Sequence, residues 1–394
     1  MVPAMQSIRA FSSSLGGLIA LAAAIGVGRF VYTPILPPMV ETLGLTKAAA
    51  GLTASSNFLG YLLGALLAAW PNLPGSRRSW LLGSLLLSGV TTAGMGCTRA
   101  LPAFLLLRFI GGAASAFVLV FATAMVLENL ANARRPALSA LHFAGVGAGI
   151  LVSAILVTEL LRAGLRWPSL WFASGGLSLL ATIAVALLLR EADAPTHRAD
   201  LGQRARPAIN RALHRLIIAY GLFGFGYVIT ATFIVAIVRG TPSIRAQEPL
   251  VWIIVGVAAI PSVALWTRIA TSVGISATFA MASVVEALGV LASVFWPTES
   301  GTFVAAILVG GTFMGLTTLG LIGARALSTG DSRRVLAMMT ASFGLGQMIG
   351  PSFAGVLSDR LGSFAVASVV AALALLLAAA LVLRRTTRAS AALR

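Results

Sequence analysis

The spacing of its charges constrains this chain more than any other feature. Cut at Lys, Arg, Asp and Glu, the sequence leaves twelve long uncharged runs, from 10–28 and 48–76 at one end to 335–358 and 361–383 at the other. Each run, alone or extended past one charge, supplies about the 20 residues that a helix needs to cross a bilayer. A backbone inside hydrocarbon has no water to bond, so a spanning segment must be a helix or part of a closed barrel. Barrel strands alternate in polarity with period two over about ten residues, and these runs do not. Only 10% of the residues are charged, against roughly a quarter in soluble domains. The expected fold is therefore all-α and integral to the membrane, with twelve transmembrane helices, numbered here as spans 1 to 12.

The net charge of +17 raises the question of nucleic acid. The arginines, however, lie in the breaks between apolar runs and form no basic domain, so no nucleic-acid partner is expected. Their placement reports topology instead. With the breaks assigned to alternate faces, nineteen Lys and Arg residues fall on one side, among them Arg77, Arg78, Arg134, Arg135 and the arginines from Arg190 to Arg215. Only Lys47, Arg99, Arg162, Arg166, Arg239, Arg245 and Arg360 fall on the other, with Arg29 and Arg108 inside spans. The positive-inside rule then puts both termini in the cytoplasm, for a multi-pass protein of a bacterial inner membrane. The opening "MVPAMQSIRAFSSS" runs into span 1 without a small-residue cleavage site, which reads as a retained helix. Cys97 is the only cysteine and three scattered histidines have no ligand spacing, so no disulfide, metal or cofactor is expected.

The longest polar stretch, "READAPTHRADLGQRARPAINRALHR" at 190–215, separates six spans from six. Residues 1–190 and 214–394 read as two six-helix bundles joined by a cytoplasmic linker at 191–213. The halves also look like copies. "GVG" at 26–28 recurs as "GFG" at 224–226, Gly111-Gly112 as Gly310-Gly311, Arg134-Arg135 as Arg333-Arg334, and "GVG" at 145–147 as "GLG" at 344–346. An offset near 200 residues recurs throughout, in matching spans and, for the basic pairs, in a loop. Six spans per copy keep both copies in one orientation, which makes the repeat parallel, a pseudo-two-fold about the membrane normal. The pairs Gly60-Gly64, Gly311-Gly315 and Gly346-Gly350 have the spacing that lets helix backbones approach closely.

These residues resemble the major facilitator superfamily over essentially the whole chain. "LLLRFIGGAASA" (105–116) is similar to the signature of that family's fourth helix, and "HFAGVGAGI" (142–150) and "GLGQMIGPSFAG" (344–355) to the glycine-rich signatures of its fifth and eleventh. "GRFVYTPILPPM", "SSNFLGYLLGALLA" (55–68) and "YGLFGFGYVITATFIVAIVR" (220–239) look most like its YbfB/YjiJ branch. The resemblance implies transport by alternating access and a cavity lined by spans 1, 4, 7 and 10. In the family's loop between spans 2 and 3 an aspartate precedes a basic pair. Here "AAWPNLPGSRRSW" keeps Gly75, Arg77 and Arg78 without the acid, and the better match, "GVLSDRLGS" at 355–363, stands between spans 11 and 12.

The only lysine, Lys47, lies in no phosphate-cradling loop, which argues against ATP use. Eleven acidic residues, mostly in loops, present no nucleophile with a base and no paired acids, so no catalytic residues are assigned and the chain is not read as an enzyme. Arg29 and Arg108 both fall in the outer part of the membrane. An arginine at a helix centre costs roughly 2.5 to 3.5 kcal/mol, so a chain that retains two has a use for them. Arg29 and Tyr32 share a face at i, i+3; Tyr220, Gly224 and Tyr227 share one at i, i+4, i+7. Tyr227 is the repeat counterpart of Arg29, while that of Arg108 is Ile307. Prolines 34, 37 and 38 are expected to bend or end span 1 just beyond Arg29.

The substrate-binding residues expected are Arg29, Tyr32, Asn57, Arg108, Tyr220, Tyr227, Thr312 and Gln347. Each also has a structural reading: the tyrosines as core aromatics, Arg108 as a donor to backbone carbonyls or span 1, Asn57 and Gln347 as bonds between helices. Glu286 is the only acid near the middle of a span and the candidate proton carrier, although span 9 is peripheral in this fold. His142, at the start of span 5, is a second titratable group or a packing residue. The expected activity is secondary transport of a small organic solute, anionic and proton-coupled, by a monomer whose partners are substrate and lipid bilayer. An uncoupled facilitator, or an intramembrane enzyme or sensor, remains the alternative.

Overall fold

A computed structural model describes residues 2–70, 73–189, 210–328 and 332–383. Most of the expected linker lies outside the described residues. Thirteen helices follow in order: α1 Val2–Leu21, α2 Tyr32–Leu43, α3 Lys47–Ala68, α4 Arg77–Gly94, α5 Leu101–Asn132, α6 Ser139–Arg162, α7 Trp167–Leu188, α8 Arg211–Gly240, α9 Glu248–Val273, α10 Ile275–Phe295, α11 Glu299–Leu327, α12 Ser332–Leu361 and α13 Ala365–Leu383. Among the described residues there is no strand, and eleven helical stretches are long and apolar enough to cross a membrane. The expected span 11 corresponds to α12, which is not one of the eleven; at 30 residues it is about 45 Å long. Polar residues mark the breaks. Thr46, Ser76, Asn210 and Thr298 accept backbone N–H groups at the starts of α3, α4, α8 and α11, as N-caps do. Gly44, at φ 64°, ends α2 in the left-handed conformation that favours glycine.

Span 1 is α1 and α2 together, and its interruption is not where the prolines suggest. A π-helical turn, Ala22–Val27, and a turn at 28–31 separate the two. Pro34 sits in the first turn of α2, where the N–H it lacks has no partner within the helix in any case, and Pro37 and Pro38 lie inside α2. The prolines thus follow the break and do not make it. At the break the chain is pressed against α6: a Cβ on Gly26 would overlap the backbone of Gly149, and one on Gly149 would overlap the carbonyl of Ala22.

Within residues 1–189, α3 packs on α5, α4 on α5 and α7, and α1 on α5, α6 and α7. The same neighbours recur 200 residues later: α9 on α11, α10 on α11 and α13, and α8 on α12 and α13. Between the halves run α3 against α12, α6 against α9, and α2 against α8. Glycines set the closest approaches. A Cβ on Gly60 would overlap the Phe109 carbonyl and one on Gly112 the Asn57 carbonyl, so α3 and α5 meet backbone to backbone. Gly346 stands in the same way against Gly221 in the α8 and α12 contact.

Candidate substrate site around Arg29

The break in span 1 leaves carbonyls without helical partners, and Arg108 takes two of them. From α5 its guanidinium donates to the carbonyls of Gly28 at 2.9 Å and Arg29 at 3.0 Å. Its own carbonyl accepts from Asn57 Nδ2 at 2.8 Å. The guanidinium also lies 5.0 Å from the centre of the Tyr32 ring. Tyr32 in turn donates to the carbonyl of Ala50 at 2.8 Å and rests on Trp171. Arg108, Asn57 and Tyr32 therefore form one buried group that holds spans 1, 2 and 4 together. Of the two readings of Arg108, its bonds are those of the structural one.

Arg29 has no such partners. It is 5% exposed and forms no ion pair with an acid among the described residues. Its guanidinium carbon lies 3.9 Å from the centre of the Tyr61 ring, 5.3 Å from that of Phe58 and 5.9 Å from that of Phe30. Such cation–π contacts contribute about 0.5–2 kcal/mol each, enough to offset much of the burial cost. Nε has no hydrogen-bond partner, and Nη2 reaches only Ser115 Oγ, at 3.5 Å.

Facing this group is an aromatic stack from the second half. Tyr227 lies within electrostatic reach of Arg29 and stacks nearly parallel on Phe313 at 5.7 Å and Phe343 at 5.9 Å. Gln347 Nε2 donates to the Tyr227 hydroxyl. Tyr220 stacks on Phe343 at 4.8 Å and donates to the Thr317 carbonyl at 3.1 Å. The halves touch where Phe30 meets Phe313 and Trp252. Behind the stack, Glu286 is wholly buried on α10, facing Thr312 of α11 and within electrostatic reach of Tyr227, with neither carboxyl oxygen hydrogen-bonded. Thr312 donates to its own helix, at Leu308. His142 is equally buried but lies apart, its Nε2 3.0 Å from Thr123 Oγ1 and its ring against Gly17 and Phe143.

The structure thus brings together Arg29, Tyr220, Tyr227, Gln347, Thr312 and Glu286, and sets Tyr32, Asn57 and Arg108 behind them in span 1's support. Tyr61 belongs to the first group and was not expected. It stands four residues after Asn57 in "SSNFLGYLLG" and is one of only four tyrosines; helical spacing and rarity were its available signals. Spans 2 and 11, through Phe58, Tyr61, Phe343 and Gln347, contribute as much as spans 1, 4, 7 and 10. A mainly apolar groove of about 740 Å3 lies elsewhere, between α3, α5 and α12, and includes none of these residues. The residues of the Arg29 group themselves are buried.

The packed helices around this polar, aromatic centre have the fold of known membrane transporters. The chain is similar to crystal structures of the nucleoside transporter NupG, one of a mutant with TM-score 0.73 at 15% identity, covering 95% of this chain and 99% of that one. It is also similar to a bacterial homologue of the human lysosomal transporter Spinster, in an inward-facing and occupied conformation, with TM-score 0.69, 14% identity and 96% of each chain covered. At such identities the likeness extends to the fold, that of major facilitator superfamily transporters. The chain belongs to the family described as "Uncharacterised MFS-type transporter YbfB", whose profile matches residues 21–383. No curated protein matches it. The family and its structural neighbours are transporters, not enzymes.

Proposed function

We propose that the protein is a secondary transporter of a small organic anion, working by alternating access between two six-helix bundles, spans 1–6 and 7–12, related by a parallel pseudo-two-fold. The recurrence of helix neighbours 200 residues apart supports the two-bundle reading, and the charge asymmetry supports cytoplasmic termini in a bacterial inner membrane. The observation that carries the substrate class is Arg29: a buried cation with no acidic partner among the described residues, set against aromatic rings and with its Nε donor unpartnered. A carboxylate matches the planar fork of a guanidinium in geometry and charge, and its binding compensates the arginine's desolvation. Arg108 already commits two donors to carbonyls of span 1, so Arg29 is the arginine assigned to the substrate. Tyr61, Tyr220 and Tyr227 offer apolar surface for the rest of the solute.

The protein works in this reading as a monomer, with the substrate and the surrounding lipid as its partners. Glu286 is the proton carrier, placed beside Thr312 and within reach of Tyr227. The test is counterflow in proteoliposomes with a panel of small carboxylates, amines and neutral solutes. Carboxylates are expected to exchange in the wild type and not in Arg29→Gln. A cationic substrate whose transport survives Arg29→Gln would overturn the assignment.

A further inference from the structure

The stretch "GVLSDRLGS" at 355–363 has no part in the site around Arg29, yet its acid makes a direct polar contact between the two halves. Asp359, near the end of α12, places both carboxylate oxygens on the first turn of α3: Oδ1 accepts from Lys47 N at 3.0 Å and Oδ2 from Ala48 N at 2.8 Å. Thr46 takes the next donor, Ala49 N, at 3.0 Å. Orphan N–H groups and the helix dipole make a helix N-terminus attractive to an anion; here the anion comes from more than 300 residues away. Lys47 Nζ lies 5.2 Å from the centre of the Phe364 ring. The backbones touch at this seam, since a Cβ on Gly51 would overlap the Pro351 carbonyl and one on Gly355 that of Lys47.

A second set of bonds closes the same end. Glu41, at the end of α2, receives Arg239 Nη2 at 2.6 Å and Nε at 2.8 Å from the end of α8, and Arg239 Nη1 holds Glu248 at 2.9 Å. Thr33 donates to the Ala231 carbonyl at 2.8 Å. At the opposite end, the basic pair whose loop lacks an acid has partners in its own half: Arg77 bridges Glu128, and Arg78 donates to the carbonyls of Ala186 and Leu189.

We propose that Asp359 is a latch on the Glu41 end, periplasmic in the topology above, and that its capping of α3 sets the balance between the closed and open states of that end. The inference rests on the alternating-access reading. Each opening must break two charge-assisted hydrogen bonds between the exposed Asp359 and the first turn of α3. Removing the carboxylate therefore favours the open end.

The experiment places spin labels on cysteines at the exposed positions Thr42 and Leu361, in a Cys97→Ser background, and measures their separation in lipid nanodiscs. Asp359→Ala is expected to raise the ratio of long to short distances about tenfold, equivalent to about 1.4 kcal/mol, with Asp359→Asn between it and wild type. Melting temperatures check that the fold persists, and the near-isosteric Asn variant carries the test if the Ala variant does not fold. Two distances in wild type with an unchanged ratio in both variants would overturn the latch and leave alternating access standing. One short distance in wild type and both variants would overturn both.

Discussion

Arg29 and Arg108 look alike in sequence, two cations at one depth, and their environments separate them. Arg108 donates to two carbonyls exposed by the break in span 1, so its loss is a matter of folding. Arg108→Leu leaves both carbonyls unpaired, at about 1–3 kcal/mol for each buried group, and should lower the melting temperature of the purified protein markedly. Arg29→Gln should melt near wild type while losing counterflow. Arg29→Lys keeps the charge but not the planar fork or the stacking on Tyr61, so it should weaken binding nearly as much. Tyr61 separates packing from charge: Tyr61→Phe should retain most binding, and Tyr61→Leu should lose it, as measured by substrate titration. For Glu286, the Gln variant should abolish gradient-driven accumulation and spare exchange, which moves no net proton. Unaltered accumulation would leave Glu286 structural. The residue types and the Arg29–Tyr227 pairing were legible from repeat position. Tyr61 was not, because its role comes from the rotation of α3 against span 1, which no short-range pattern records.

At the level of elements, the lengths of the uncharged runs located the helices, and the prolines misplaced the break in span 1. Proline lacks a donor, but in the first turn of a helix that donor has no partner to lose, so the same residue can end one helix or begin another. Only the contact with α6 at Gly26 and Gly149 shows where the chain gives way. The glycines of α3 and α5 make a sharper test of packing. Gly60→Val or Gly112→Val forces a side chain into a facing carbonyl, at a cost of about 1–3 kcal/mol or more, and should lower thermal stability. Gly83→Ala, where nothing lies within 4 Å of the added carbon, should be neutral or slightly stabilising. Equal effects at the three positions would mean that α3 and α5 do not pack as described.

For the whole molecule, the charge asymmetry predicts that the segment 190–215 and both termini face the cytoplasm. Cysteines at Ala194 and Thr298, in a Cys97→Ser background, should be labelled by an impermeant reagent from opposite sides of the membrane. Labelling from one side would overturn the helix count. The class of protein was open to the sequence alone because each span must satisfy its own backbone hydrogen bonds within about 20 residues. That requirement is local, and so it is written locally, in run lengths and the sign of the charges between runs. The halves' likeness was also readable, since a repeat copies its glycines and basic pairs at one offset. Which buried group serves which purpose was decided only in three dimensions. Arg108 meets Gly28 across 80 residues and Asp359 meets Lys47 across 312, and a polar group in a membrane protein takes its role from whatever partner the packed helices bring within hydrogen-bond distance.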